Sequence, residues 1–118
     1  MRDLSGLSAR VILALVLALP CAAGAAPERF VMLANGEQIG TLDVVREGPG
    51  IELDYRIDDN GRGPKIRESL RFDLKGRLVD WHVRGAANIG APIEERYRLQ
   101  GSRATWKTLN DAGAAPNE

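Results

Sequence analysis

From Ile51 to Asp58 the chain reads Ile-Glu-Leu-Asp-Tyr-Arg-Ile-Asp, with apolar and polar residues alternating without a break. A period of two sends the apolar side chains to one side of an extended backbone and the polar ones to the other, as in a strand with one dry and one wet face. Shorter runs of similar character cover Phe30 to Ala34, Glu37 to Arg46, Lys65 to Leu74, Arg77 to Arg84, Ile93 to Leu99 and Ala104 to Thr108. Glycine-bearing turns separate them: Asn35-Gly36, Glu47 to Gly50, Asp59 to Pro64, Lys75-Gly76, Ala86 to Pro92 and Gln100 to Arg103. Most are too short for anything but antiparallel hairpins. No segment after Ala26 carries helical spacing of useful length. The expected fold is all-β: an antiparallel meander of about seven strands, making a single curved sheet or half-barrel.

Pairing outward from each turn predicts the register. Lys75-Gly76 sets Phe72 against Val79, Leu70 against Trp81 and Glu68 against Val83. Asp59 to Pro64, taken as one loop, sets Ile57 against Ile66, Tyr55 against Glu68, Leu53 against Leu70 and Ile51 against Phe72. Glu47 to Gly50 sets Val44 against Leu53 and Leu42 against Tyr55, and Gln100 to Arg103 sets Leu99 against Ala104 and Tyr97 against Trp106. Apolar residues fall beside apolar residues throughout, which a slip of one residue would destroy. The first hairpin changes parity midway, so a bulge is expected at Gly40. One buried layer is expected from Leu53, Leu70, Phe72, Val79, Trp81, Tyr97 and Trp106. The other face carries interleaved charges, among them Glu52, Asp54, Arg56, Arg67, Asp80, His82, Arg84, Arg96 and Arg98.

The first 25 residues have a different character. A sparsely basic start gives way to the apolar run Val11 to Leu19, then Pro20 and the small residues Cys21 to Ala26. That order is the one found in a cleavable signal peptide, with Ala23-Gly24-Ala25 as the cut. The apolar run is too short for a hydrocarbon core of ~30 Å, which takes ~20 residues. The expected organisation is a signal peptide over 1–25, a β-domain over 26–109 and a flexible tail or linker over 110–118. The mature protein would be exported to the periplasm or beyond the cell, with no membrane association after cleavage. Removing 25 residues from 118 leaves 93, and 14 basic against 15 acidic residues. A balance so near zero gives no general reason to bind nucleic acid. Cys21, the only cysteine, leaves with the signal, so no disulfide supports the domain.

Candidate chemistry is sparse. His82 is the single histidine, and without a second histidine or a mature cysteine no zinc site is expected. It alternates with Trp81 and Val83 and so belongs to the wet face, where Ser69 also lies. No strained nucleophile turn surrounds that serine. The string Asp58 to Lys65 lacks the alternate ligand spacing of a calcium loop and is followed by no helix start for a phosphate. It reads as a hairpin loop with Asn60-Gly61 in the left-handed region. Catalytic residues, cofactors and metals are therefore expected to be none. Two carboxylates stand out, because Glu68 and Glu95 fall in the apolar register on either side of Val83. A carboxylate stays there only with water, a hydrogen bond or a cation beside it. Tyr55 is its expected donor at Glu68, and a docked arginine or ligand is the functional alternative. The candidate contact set is Tyr55, Glu68, Trp81, Glu95, Tyr97 and Trp106.

The string Asn35-Gly36-Glu37, Gly40, Asp59 to Lys65, Glu68, Gly85, Gly90 and Glu95 resembles the N-terminal β-domain of certain secreted bacterial amidohydrolase-family proteins. The likeness runs from about Arg29 to Asp111, and Asn60-Gly61-Arg62-Gly63-Pro64-Lys65 followed by Glu68 is its most specific part. In that family the domain precedes a metal-dependent hydrolase barrel. No His-x-His pair is present, so no catalytic residue carries over. The resemblance implies a non-catalytic accessory or interaction domain, stand-alone or truncated. Its implied partner is a catalytic hydrolase domain or a second copy of itself. The alternative is a periplasmic β-domain that binds an apolar small molecule or lipid on its concave face.

Overall fold

The computed structural model describes residues 25–117. The reading of residues 1–25 as a signal peptide, Cys21 included, lies outside these residues but for Ala25. The described chain is all-β, with eight strands and no helix: β1 (Glu28–Ala34), β2 (Glu37–Glu47), β3 (Gly50–Ile57), β4 (Lys65–Phe72), β5 (Leu78–Ala86), β6 (Pro92–Gln100), β7 (Arg103–Lys107) and β8 (Ala112–Pro116). They form one antiparallel sheet in sequence order, and β1 does not meet β8, so the sheet stays open.

One strand more is present than the alternation announces. The tail expected to be flexible supplies β8, which pairs with β7 from Arg103↔Pro116 to Lys107↔Ala112. Its Ala-Gly-Ala-Ala-Pro sequence has no hydrophobic pattern, and it is held by backbone pairing alone on one side. Gly113 has a second role. A β-carbon there would run into the Trp106 indole, with Nε1 at 2.8 Å, so the bare backbone is the shelf on which that ring lies.

The register between β3 and β4 differs from expectation by two residues. Ile51 faces Leu70, Leu53 faces Glu68 and Tyr55 faces Ile66. Asn60-Gly61 alone is the loop: both residues have positive φ, 55° and 79°, and Asp59 bridges Arg62 across them. Two consecutive positive φ angles make the hairpin turn whose twist matches paired strands. Centring on that dipeptide, not on the longer loop, shifts each partner by two. A shift of two leaves every side chain on its face, so the apolar layer is preserved although Tyr55 no longer faces Glu68.

The remaining hairpins keep the expected partners but for Phe72, which faces Leu78 and not Val79. Val44 faces Leu53 and Leu42 faces Tyr55, Leu70 faces Trp81 and Glu68 faces Val83, and Tyr97 faces Trp106. The first bulge falls one residue early: Met32 pairs with Gly40 and Leu33 with Gln38, so Ile39 is the unpaired extra residue. A second bulge leaves Val79 unpaired, with Phe72 against Leu78. There the Asp73 carboxylate accepts from the backbone of Lys75 and of Arg77, each at 2.9 Å, and closes the turn.

The expected layer lies on one face, but it is not a closed core. Val44, Val83 and Leu99 are buried, whereas Trp81, Trp106 and Phe30 are 37%, 42% and 51% exposed. A one-layer sheet shields its apolar side chains only by their neighbours, because among the described residues no second layer packs on them.

Candidate functional site

The two faces offer different chemistry. On the wet face, neighbouring charged side chains, some across strands and some along one strand, form a network of ion pairs. Arg29 holds Asp43 through a two-pronged contact at 2.6 and 2.7 Å, and Arg56 holds Asp54 with both contacts at 2.7 Å. Arg67 reaches the same Asp54 at 3.1 Å, and Arg96 reaches Asp80 at 2.9 Å. The hydrogen bond from Arg29 holds the Asp43 carboxyl below the usual carboxylate range, and Arg56 does the same to Asp54. At Asp73 the backbone N–H of Arg77 is the larger cause, and the Arg77 side chain adds to it. These groups are strongly solvated and mutually neutralising, so they mainly fix the face as a charged surface.

His82 lies on this face, beside Ser69 in the register and in contact with Glu94. The Ser69 hydroxyl donates to Glu52 at 2.6 Å rather than to the imidazole. A nucleophile needs its base within hydrogen-bond reach, and here each of the two groups is turned to a different carboxylate. Among the described residues no group of three or more His, Cys, Asp or Glu side chains is placed to hold a metal ion. The Asp58 to Lys65 string is spent on its own turn, with Asp58 Oδ1 accepting from the Gly61 N–H at 2.8 Å.

The apolar face brings the candidate contact residues together more closely. Trp81, Tyr97 and Trp106 are consecutive members of one cross-strand row. Neighbouring strands lie about 4.8 Å apart, so the backbones of the two tryptophans stand about 10 Å from each other with that of Tyr97 between them. In the adjoining row Glu68, Val83 and Glu95 are likewise consecutive. Trp81, Val83, Glu95, Tyr97, Trp106 and Thr108 line a groove of about 240 Å³. Arg96 and Lys107 also border it. They face each other in the wet-face row, so their charges point away from the groove. Tyr55 and Glu68 lie on the same face outside the groove.

The two carboxylates are held differently. Glu68 Oε2 accepts from the Trp81 indole N–H at 2.9 Å, which replaces the expected bond from Tyr55. Glu95 is exposed and takes part in no hydrogen bond or ion pair with the described residues. Sequence reasoning did not anticipate two contributors: the indole donor that fixes Glu68, and Gly113 beneath Trp106. The first follows from the pairing of Leu70 with Trp81, which sets the indole diagonal to Glu68. The second was hidden by the tail's composition.

No family model, curated protein or solved structure matches the chain. The amidohydrolase-type resemblance therefore rests on the quoted residues alone.

Proposed function

We propose that this protein is a non-catalytic binding module, exported to its place of work, whose apolar sheet face seats a partner protein domain. The observation that carries the proposal is that face itself, which leaves Phe30, Trp81 and Trp106 one-third to one-half exposed. Large apolar side chains left open on one sheet face mark a contact site where they adjoin, as Trp81 and Trp106 do on either side of Tyr97. The size is suitable. Eight strands span about 34 Å across the sheet, and the strands run from five residues to eleven, about 26 Å on average. The face then offers about 900 Å², near the ~800 Å² that each side of a stable complex contributes.

Charge favours a different protein over a second copy. Among the described residues the apolar face carries Glu28, Glu68 and Glu95 against the guanidinium of Arg46, which Glu28 already engages at 3.5 Å. Two copies stacked face to face would bury like charges together. A partner with basic groups within an apolar surface meets no such penalty. The amidohydrolase-type resemblance agrees, since there the β-domain accompanies a catalytic domain. The groove supports a second reading, in which an apolar small molecule or lipid occupies the same face. Aromatic walls with one polar group are usual for such sites.

Native mass spectrometry of the protein isolated from the cells that export it separates these readings. A 1:1 complex with another protein, lost in a Trp106→Lys variant and retained in a Thr105→Lys variant, is the expected result. A small molecule that co-purifies supports the second reading. A bare monomer or a homodimer overturns the first.

A further inference from the structure

The groove on the apolar face is more selective than the surface around it. Three aromatic side chains of one cross-strand row line it, and Glu95 is its carboxylate without a partner among the described residues. Aromatic faces carry negative potential that attracts cations. A carboxylate at their edge completes the preference, and at an apolar interface it needs a cation once water leaves. The shape selects among cations. Tyr97 and its two tryptophan neighbours form one side of a half-open groove and not an enclosing cage. A planar cation can lie flat against such a wall and still direct paired N–H groups at a carboxylate in its own plane. A guanidinium does both, whereas an ammonium is a strongly hydrated point charge that does neither as well. Thr108 does not compete, because its hydroxyl accepts from the backbone of Asp111 at 3.0 Å and of Asn110 at 3.3 Å. Glu68 is oriented by Trp81, so the guanidinium falls to Glu95.

We infer that the groove formed by Trp81, Tyr97, Trp106 and Glu95 is a guanidinium site that receives an arginine side chain of the docked protein. The inference rests on the docking reading and names the group by which the partner is recognised. The chain contains two tryptophans, so their indole N–H signals in a proton–nitrogen correlation spectrum report the site directly.

The test titrates the purified protein with N-acetyl-arginine N-methylamide. The matching lysine and citrulline amides and free arginine serve as controls. Saturable shifts of both indole signals, with a dissociation constant on the order of millimolar, are expected for one exposed cation–aromatic contact with an ion pair. The neutral citrulline amide should bind about tenfold more weakly or not at all, and Glu95→Gln should weaken the arginine amide by about the same factor. Glu95 is exposed, so its variant should keep the wild-type spectrum elsewhere. Trp106→Phe provides a second variant that lowers affinity without adding charge. Equal binding of arginine and citrulline amides, or an unchanged constant in Glu95→Gln, overturns the inference. Free arginine binding much more tightly than its blocked amide overturns the assignment to a side chain. A wild-type protein that binds the arginine amide but forms no 1:1 complex counts against the docking reading, and one that forms the complex but does not bind the amide counts against the guanidinium site.

Discussion

Gly85 offers a quantitative test of how closely the central strands approach. It pairs with Ile66 on one side and Ile93 on the other, in the middle of the sheet. Its φ is 147°, and a β-carbon there would strike the Lys65 carbonyl oxygen and stand 2.9 Å from the Ile66 Cα. Both obstacles are backbone, so no side chain can rotate out of the way. In Gly85→Ala, strain at this φ costs ~1–3 kcal/mol and forcing apart two paired strands adds ~1–3 kcal/mol. The expected loss is about 3–5 kcal/mol against a total of roughly 5–14 kcal/mol for a domain of this size. With a urea dependence of about 1 kcal/mol per molar, the midpoint should fall by about 3–5 M or the variant should fail to fold. Gly90→Ala is the control. Its φ is 82° and nothing lies within 4 Å of the added carbon, so strain alone should cost about 1–2 kcal/mol. Urea unfolding of both variants decides the matter. Equal losses would mean that β4 and β5 do not meet at Gly85 as described.

Three further outcomes are expected. Asp43, Asp54 and Asp73 have carboxyls held below their ordinary range in the folded chain. Their contribution is present above the unfolded value near 3.9 and lost as pH falls through it toward the folded values, so the urea midpoint should be steady from pH 5 to 7 and decline below about pH 4. A midpoint that rises below pH 4 would contradict this. Trp81→Ala should cost about 2–3 kcal/mol, less than the ~3–5 kcal/mol of a fully buried aromatic, because the ring is 37% exposed; urea unfolding of the variant measures it. N-terminal sequencing of the exported protein should begin at Ala26 or Pro27, and a chain starting at a lipidated Cys21 would contradict the processing site.

The faces were legible because a period of two survives local errors in register. The shift of two between β3 and β4 left Leu53, Leu70 and Trp81 on the face where alternation placed them. The register itself was also written in the chain, in Asn60-Gly61, but it is read correctly only when that dipeptide is taken as the whole turn. Trp81, Glu95, Tyr97 and Trp106 share a groove because alternation and short loops dictate it. Burial was not legible, since alternation says which side chains share a face and nothing about what covers them. β8 was hidden for a different reason. A strand built from alanine, glycine and proline is held by its neighbour's backbone and leaves no hydrophobic signature.

The claim that the apolar face is the binding surface is tested most directly by an apolar fluorescent dye, with one lysine placed on each face in turn. The purified protein at pH 7 should bind the dye. Trp106→Lys should remove most of that fluorescence, whereas Thr105→Lys, one residue away on the charged face, should leave it unchanged. If the wild type fails to bind dye, or both variants bind it equally, the apolar face is not an open binding surface.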